Sequence, residues 1–144
     1  MSSFKYIGCF LDKCDVKKYA EQQSLERLDC VIEHPHVTFV YKPEMVPCEL
    51  FGLNITIRVT SYGNNGENEA FGIVFENLPK ELVGFVQLIE VPHITISVSE
   101  NGESVNSRNL KFAPIKSFCL QGVFGGKDYN GFVHTNSSNQ GTGL

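Results

Sequence analysis

The segments PHVTF (residues 35–39) and PHITI (residues 92–96) share one pattern, Pro-His-apolar-Thr-apolar, in a chain of 144 residues. Residues two apart on a strand share a face, so the histidine and threonine of each segment point the same way. The apolar residues between and after them point the opposite way, into packing. Each segment therefore predicts a strand that presents one imidazole and one hydroxyl on its polar face.

Both pentapeptides complete a strand–helix–strand unit. The periodicity of apolar residues predicts two such units, strand 4–11, helix 12–23 and strand 36–42, then strand 69–76, helix 80–90 and strand 91–99. Further strands are predicted at 53–62, 117–124 and 129–133, the last two around a Gly125-Gly126 turn. The pentapeptide repeats because a larger unit repeats, although the two units share little other sequence.

Composition indicates one domain of ordinary size. It also argues against long nucleic acid and a membrane as partners. The net charge is −4, the pI is about 5.5 and the chain has three arginines, so long duplex nucleic acid is not expected as a partner. The N-terminus lacks a signal-peptide pattern, and no apolar run approaches the roughly 20 residues that span a bilayer. The five cysteines show no C-x-x-C spacing and indicate reduced thiols. We expect a cytoplasmic monomer, in the host cytoplasm if the protein is viral, with one domain at 1–134 and a flexible polar tail at 135–144.

The two polar strand faces suit phosphodiester chemistry. His36 and His93 supply the side chain that acts as acid or base near neutral pH, and cleavage of a P–O bond needs one of each. Thr38 and Thr95 offer hydroxyls that hold the non-bridging oxygens as charge develops. These four residues are the predicted catalytic set. No His, Asp and Glu cluster has metal-ligand spacing, so no metal or other cofactor is predicted.

The paired motifs His36-Val37-Thr38 and His93-Ile94-Thr95 resemble those of the 2H phosphoesterases. This family includes RNA 2′,3′-cyclic phosphodiesterases, the cyclic phosphodiesterase domains of tRNA ligases, and phage proteins that destroy the cyclic-oligonucleotide signals of bacterial defence. The resemblance covers residues 4–99 in the order of elements. It implies an α+β, bilobal fold in which two pseudo-symmetric β-α-β lobes with antiparallel strands flank a central groove. It also implies metal-independent cleavage of phosphoesters by the two histidines.

The substrate is left open between two small nucleotides. One is a cyclic oligonucleotide, opened by attack of the neighbouring 2′-hydroxyl, and the other is an RNA 3′ end that carries a 2′,3′-cyclic phosphate, opened by water. An alternative function is a non-catalytic module that sequesters a nucleotide in the same cleft, although Arg or Lys would bind phosphate better than histidine. A third alternative is a structural protein in which the double motif arose by chance.

Four further residues are candidates for contacting the substrate. A base could stack on Tyr6 in the first strand or on Phe124 near the glycine pair, although packing in the core explains both aromatic residues as well. Lys42 could reach a phosphate or be a solvated strand-end charge. Ser97 extends the face of the second motif, either as a rim contact or as a hydrogen-bonded filler. The remaining histidines, His34 and His134, are read as rim and surface residues.

Overall fold

The fold was analysed in a computed structural model, in which residues 3–136 are described. It is α+β, with few helices and one largely antiparallel sheet. The strands are β1 (Phe4–Leu11), β2 (Cys30–Val31), β3 (His36–Tyr41), β4 (Asn54–Asn64), β5 (Asn68–Asn77), β6 (His93–Val98), β7 (Ala113–Asp128) and β8 (Val133–His134). The α-helices are α1 (Lys13–Glu21) and α2 (Val83–Val86), and 3₁₀ helices span Cys48–Leu50, Lys80–Leu82 and Ser104–Asn109. The α+β class and the antiparallel strands are as predicted.

The sheet order is β2-β6-β5-β4-β7-β1-β3, with β8 paired to the far part of β7. Every pairing is antiparallel. β1 and β3 are neighbours joined through α1, and β5 and β6 are neighbours joined through α2. The sheet is curved enough that Cα atoms of β3 and β6, which are not paired, come within 8 Å of each other. The two strands that carry the histidine motifs therefore lie close together.

The hydrophobic core explains which face of each motif strand is polar. Val37 and Phe39 of β3 and Ile94 and Ile96 of β6 are buried in one apolar cluster. Alternation along a strand leaves the histidines and threonines between them on the opposite face. Burial of the apolar residues thus fixes the direction of both polar pairs, because a slip of one residue in either strand would expose the core.

Helix α1 begins where the sequence predicts it. The Oδ1 atom of Asp12 accepts hydrogen bonds from the backbone N–H groups of Cys14 at 2.7 Å and Asp15 at 3.2 Å, which caps the first turn. Val16 and Ala20 are buried on its apolar face. The predicted 12–23 helix is confirmed with its ends trimmed to Lys13–Glu21.

The second predicted helix, 80–90, is wrong in length. Helical structure covers only 80–86, as one 3₁₀ turn followed by the four residues of α2. Leu82 is the one fully buried residue of the segment, and Leu88 is 92% exposed. Gly84 lies in the middle of α2, where glycine disfavours a helix, and no side chain caps its start. The spacing of apolar residues alone therefore does not predict where this helix ends.

The turn predicted at Gly125-Gly126 is also wrong, because β7 runs unbroken through both glycines. A Cβ on Gly125 would lie 2.4 Å from the carbonyl oxygen of His134, and one on Gly126 would lie 2.7 Å from the ring of Phe4. Glycine is needed there for close approach of neighbouring groups rather than for a turn.

The actual turn follows β7. The Oδ1 atom of Asp128 accepts hydrogen bonds from the N–H groups of Asn130 and Phe132, and Gly131 has a φ of 93°. The strand predicted at 129–133 is consequently displaced to β8, which is two residues long. Of the polar tail predicted at 135–144, residues 137–144 lie outside the described part of the chain. Within the described part, no helix has the length and apolar character needed to cross a membrane.

Candidate active site

His36 and His93 make the same backbone hydrogen bond. Each imidazole Nδ1–H donates to a carbonyl oxygen two residues earlier in the chain, that of His34 at 2.9 Å and that of Val91 at 2.7 Å. A ring that donates through Nδ1 keeps Nε2 available for proton transfer. Within the described part of the chain, neither Nε2 atom makes a hydrogen bond.

The environment lowers the pKa of His36 to about 4. Burial of the ring is the main cause, because it disfavours the charged form, and the hydrogen bond to the His34 carbonyl opposes this effect. Positive charge on Lys127, on His93 and on His34 lowers the pKa further. This influence of His93 is consistent with the approach of β3 and β6 within 8 Å between Cα atoms.

The pKa of His93 is lowered as well. Burial is again the main cause, the hydrogen bond to the Val91 carbonyl opposes it, and the charge of Arg108 lowers the pKa further. Near neutral pH both imidazoles of the free protein are therefore uncharged. A bound anion would favour protonation of either ring.

An aromatic wall supports His36. The ring of Tyr6 stacks on the imidazole with 4.4 Å between centroids and 21° between planes, and Phe10 lies 5.6 Å away. Gly8, between them on β1, pairs with Thr38, and a Cβ there would lie 2.0 Å from the carbonyl oxygen of Val37. Tyr6 therefore lies directly beside His36. Its ring covers the imidazole and is 8% exposed, which leaves little of it for stacking on a base.

The two motif threonines differ in their surroundings. Thr38 is partly exposed and makes no side-chain hydrogen bond with the described residues. Thr95 is 7% exposed, and its hydroxyl donates to Ser107 Oγ at 2.9 Å within the 3₁₀ helix Ser104–Asn109. Ser107 also accepts a hydrogen bond from the Asn68 amide at 3.0 Å. Thr38 can meet a phosphate directly, whereas the donor of Thr95 is already used to hold that 3₁₀ helix.

Three of the predicted substrate contacts lie elsewhere. Phe124 has no exposed surface and packs in the core against Phe39 and Phe51, so it has no face for a ligand. Ser97 is fully buried and donates to the carboxylate of Glu69 at 2.6 Å, as a hydrogen-bonded filler rather than a rim contact. Lys42 follows the end of β3.

The backbone of Lys42 is left-handed, with a φ of 50°, which ends the alternation that would have put it on the His36 face. Its ammonium lies 5.4 Å from the centroid of the Tyr41 ring. Lys42 is exposed, and its contact with Tyr41 matches the alternative of a solvated charge at the end of the strand.

Two cations near the histidines were missed in the sequence. Lys127 on β7 pairs with Tyr6, which stacks on His36. Arg108 directly follows Ser107, the hydrogen-bond partner of Thr95. Neither cation forms an ion pair with the residues described. No local signal marks them, because each reaches its histidine only through the tertiary fold.

No protein-family model matches the chain, and no curated protein is significantly similar to it in sequence. Within residues 3–136, no three His, Cys, Asp or Glu side chains are grouped so as to hold a metal ion.

Proposed function

We propose that this protein is a 2H-type phosphodiesterase that cleaves a small nucleotide through His36 and His93. The observation that carries the proposal is the matched setting of the two rings. Each donates Nδ1–H to a backbone carbonyl, each keeps Nε2 available, and they lie on strands that approach within 8 Å between Cα atoms. Two chance histidines have no reason to share a tautomer, a strand position and a neighbourhood.

We propose His36 as the general base and His93 as the general acid in the cleavage step. The pKa of His36, about 4, keeps its Nε2 unprotonated at neutral pH, which is the state that a general base needs before the reaction. The charge of Arg108 acts on His93, and the same charge would attract a phosphate, whose negative charge in turn favours protonated His93. The reverse assignment would apply to the reverse reaction.

The two histidines could cleave either candidate substrate, because one accepts the proton of the attacking group and the other protonates the leaving oxygen. With a 3′–5′ cyclic oligonucleotide, His36 Nε2 takes the proton of the 2′-hydroxyl, the O2′–P bond forms, the P–O5′ bond breaks, and His93 Nε2–H protonates O5′. With a 2′,3′-cyclic phosphate, water replaces the 2′-hydroxyl and a ribose oxygen leaves. Thr38, Arg108 and Lys127 would hold the phosphate oxygens as negative charge accumulates.

The bilobal character is part of the same proposal. The strand order supports it, because β3-β1-β7 on one side of the β7–β4 pairing mirrors β6-β5-β4 on the other. β3 pairs antiparallel with β1, from which α1 and the short strand β2 separate it in the chain, and β6 pairs antiparallel with β5, from which the helical segment 80–86 separates it. An axis between β7 and β4 would relate the two histidine motifs and place the groove between them.

The test is turnover in EDTA, followed by chromatography, of 2′,3′-cyclic mononucleotides and of 2′–5′ and 3′–5′ linked cyclic dinucleotides and trinucleotides. We expect one class to be consumed, and we expect His36→Ala and His93→Ala each to slow the reaction by about 10²-fold or more, as loss of a general acid or base does. His134→Asn is the matched control, because His134 is exposed and pairs with Asp128.

Two outcomes would contradict the proposal. Binding of a nucleotide without turnover would identify a sequestering module. Equal rates in the wild-type and both histidine variants, all shown to be folded, would assign the activity to another site.

A further inference from the structure

A cavity of about 370 Å³ opens on the same face of the sheet as His36. Its apolar lining includes Phe10, Val123 and Val133. Phe10 connects the cavity to the active site, because its ring also contacts the His36 imidazole, with 5.6 Å between centroids. The volume falls within the range of about 300–1,000 Å³ that is typical of small-molecule pockets.

Strand register explains why these residues share a face. Phe10 of β1 pairs with Val123 of β7, and Val123 pairs with Asn54 of β4. Gln121 lies two residues before Val123 and therefore on the same side of β7. Paired residues point to the same side of a sheet, so the cavity extends sideways from His36 across β1, β7 and β4.

Two amides line the cavity. The hydroxyl of Thr56 donates to Gln121 Oε1 at 2.9 Å, which fixes this amide and leaves both of its N–H bonds as donors. The amide of Asn54 makes no hydrogen bond with the described residues, so its donor and acceptor are both available. An apolar wall together with amide donors and acceptors matches a nucleobase, whose faces are apolar and whose edge is polar. Neither amide matches a phosphate as well as the cations beside the histidines do.

We propose that this cavity is the nucleobase subsite, in which Asn54 and Gln121 read the edge of the base attached to the phosphate held at His36. The inference rests on the proposed function for the placement of that phosphate. It adds base selectivity, to which nothing in the two histidine motifs contributes.

The test measures binding rather than turnover. Calorimetry would compare the four nucleoside 3′-monophosphates, with ribose 5-phosphate and inorganic phosphate as base-free probes. The wild-type protein is expected to prefer one base by about fivefold or more, the size expected for one net hydrogen bond. Asn54→Leu and Gln121→Leu should each reduce that preference by a similar factor and leave the affinity for inorganic phosphate unchanged. Gln22→Leu is the matched control, because Gln22 is exposed at the far end of α1.

The results separate this inference from the proposed function. Selective binding that is lost in the two cavity variants supports the subsite, whether or not the nucleotide is turned over. Equal affinity for all four bases, or a preference that survives both substitutions, overturns the subsite even if histidine-dependent turnover is observed. Failure to bind any nucleotide overturns both proposals.

Discussion

Burial of the His36 ring should make the stability of the protein depend on pH. In the folded state its pKa is lowered to about 4, whereas the ordinary value is 6.5. As the pH falls below 6.5, the unfolded chain takes up a proton that the folded protein refuses. The contribution of His36 to stability is therefore complete above about pH 6.5 and is lost progressively as the pH falls to about 4.

The magnitude follows from the two pKa values. They differ by about 2.5, and each pKa unit corresponds to about 1.4 kcal/mol, so about 3 kcal/mol of unfolding free energy should disappear over that range. This is a large share of the roughly 5–15 kcal/mol that stabilises an ordinary domain. His93 should contribute in the same direction, because burial lowers its pKa too.

Urea unfolding of the wild-type protein and of His36→Gln, at steps between pH 7 and pH 4, would measure the effect. Glutamine does not titrate, so subtracting the variant removes the contribution of the carboxylates that both proteins share. We expect the wild type to lose about 3 kcal/mol more than the variant. Equal losses would show that the imidazole is hydrated in the folded protein, and would refute both the burial argument and the choice of His36 as base.

Four further predictions follow from the site and the core. The kcat/KM of the wild type should be highest between the pKa of His36, about 4, and that of His93, below 6.5, in a pH–rate profile of the free enzyme. Lys127→Ala should raise the pKa of His36 in an NMR titration and weaken phosphate binding, because the cation lowers that pKa. Phe124→Ala should cost about 3–5 kcal/mol in urea unfolding, since the ring is fully buried, and should leave the nucleotide Kd of the folded protein within about twofold. Thr95→Val should cost about 1–3 kcal/mol in the same assay, because it removes the hydroxyl that donates to Ser107 in the 3₁₀ helix.

Local patterns were enough to predict most strands and the direction of the histidines. The β-rich segment at 4–11 forms β1 with the same limits, and the alternation of apolar residues identified the core faces of β3 and β6. These features depend on near neighbours in the chain, so one sequence contains the information. The helix at 80–90 was overestimated because apolar spacing alone does not tell whether a partner surface covers the whole segment.

Contacts between distant parts of the chain could not be predicted in the same way. Lys127 comes near His36 because β7 pairs with β1 over more than 100 residues of sequence, and Arg108 comes near His93 through a 3₁₀ helix that no periodic pattern announces. The glycine pair was mistaken for a turn because the sequence does not show which group approaches the backbone. In this protein, the local sequence pattern therefore predicts the direction of the two histidine side chains. The charges around them depend on the tertiary structure.

The two motif threonines differ in exposure, and this difference favours one orientation of a bound nucleotide. On the His93 side, the Ser104–Asn109 helix is anchored by the Thr95 hydroxyl and leaves Thr95 only 7% exposed. On the His36 side, Thr38 is partly exposed and the 370 Å³ cavity opens beside Phe10. A nucleotide whose phosphate lies between the two rings would then have room for its nucleobase in the cavity on the His36 side. The nucleoside that bears the attacking oxygen would occupy that side, next to His36, the proposed general base. The leaving oxygen would then face His93, the proposed general acid.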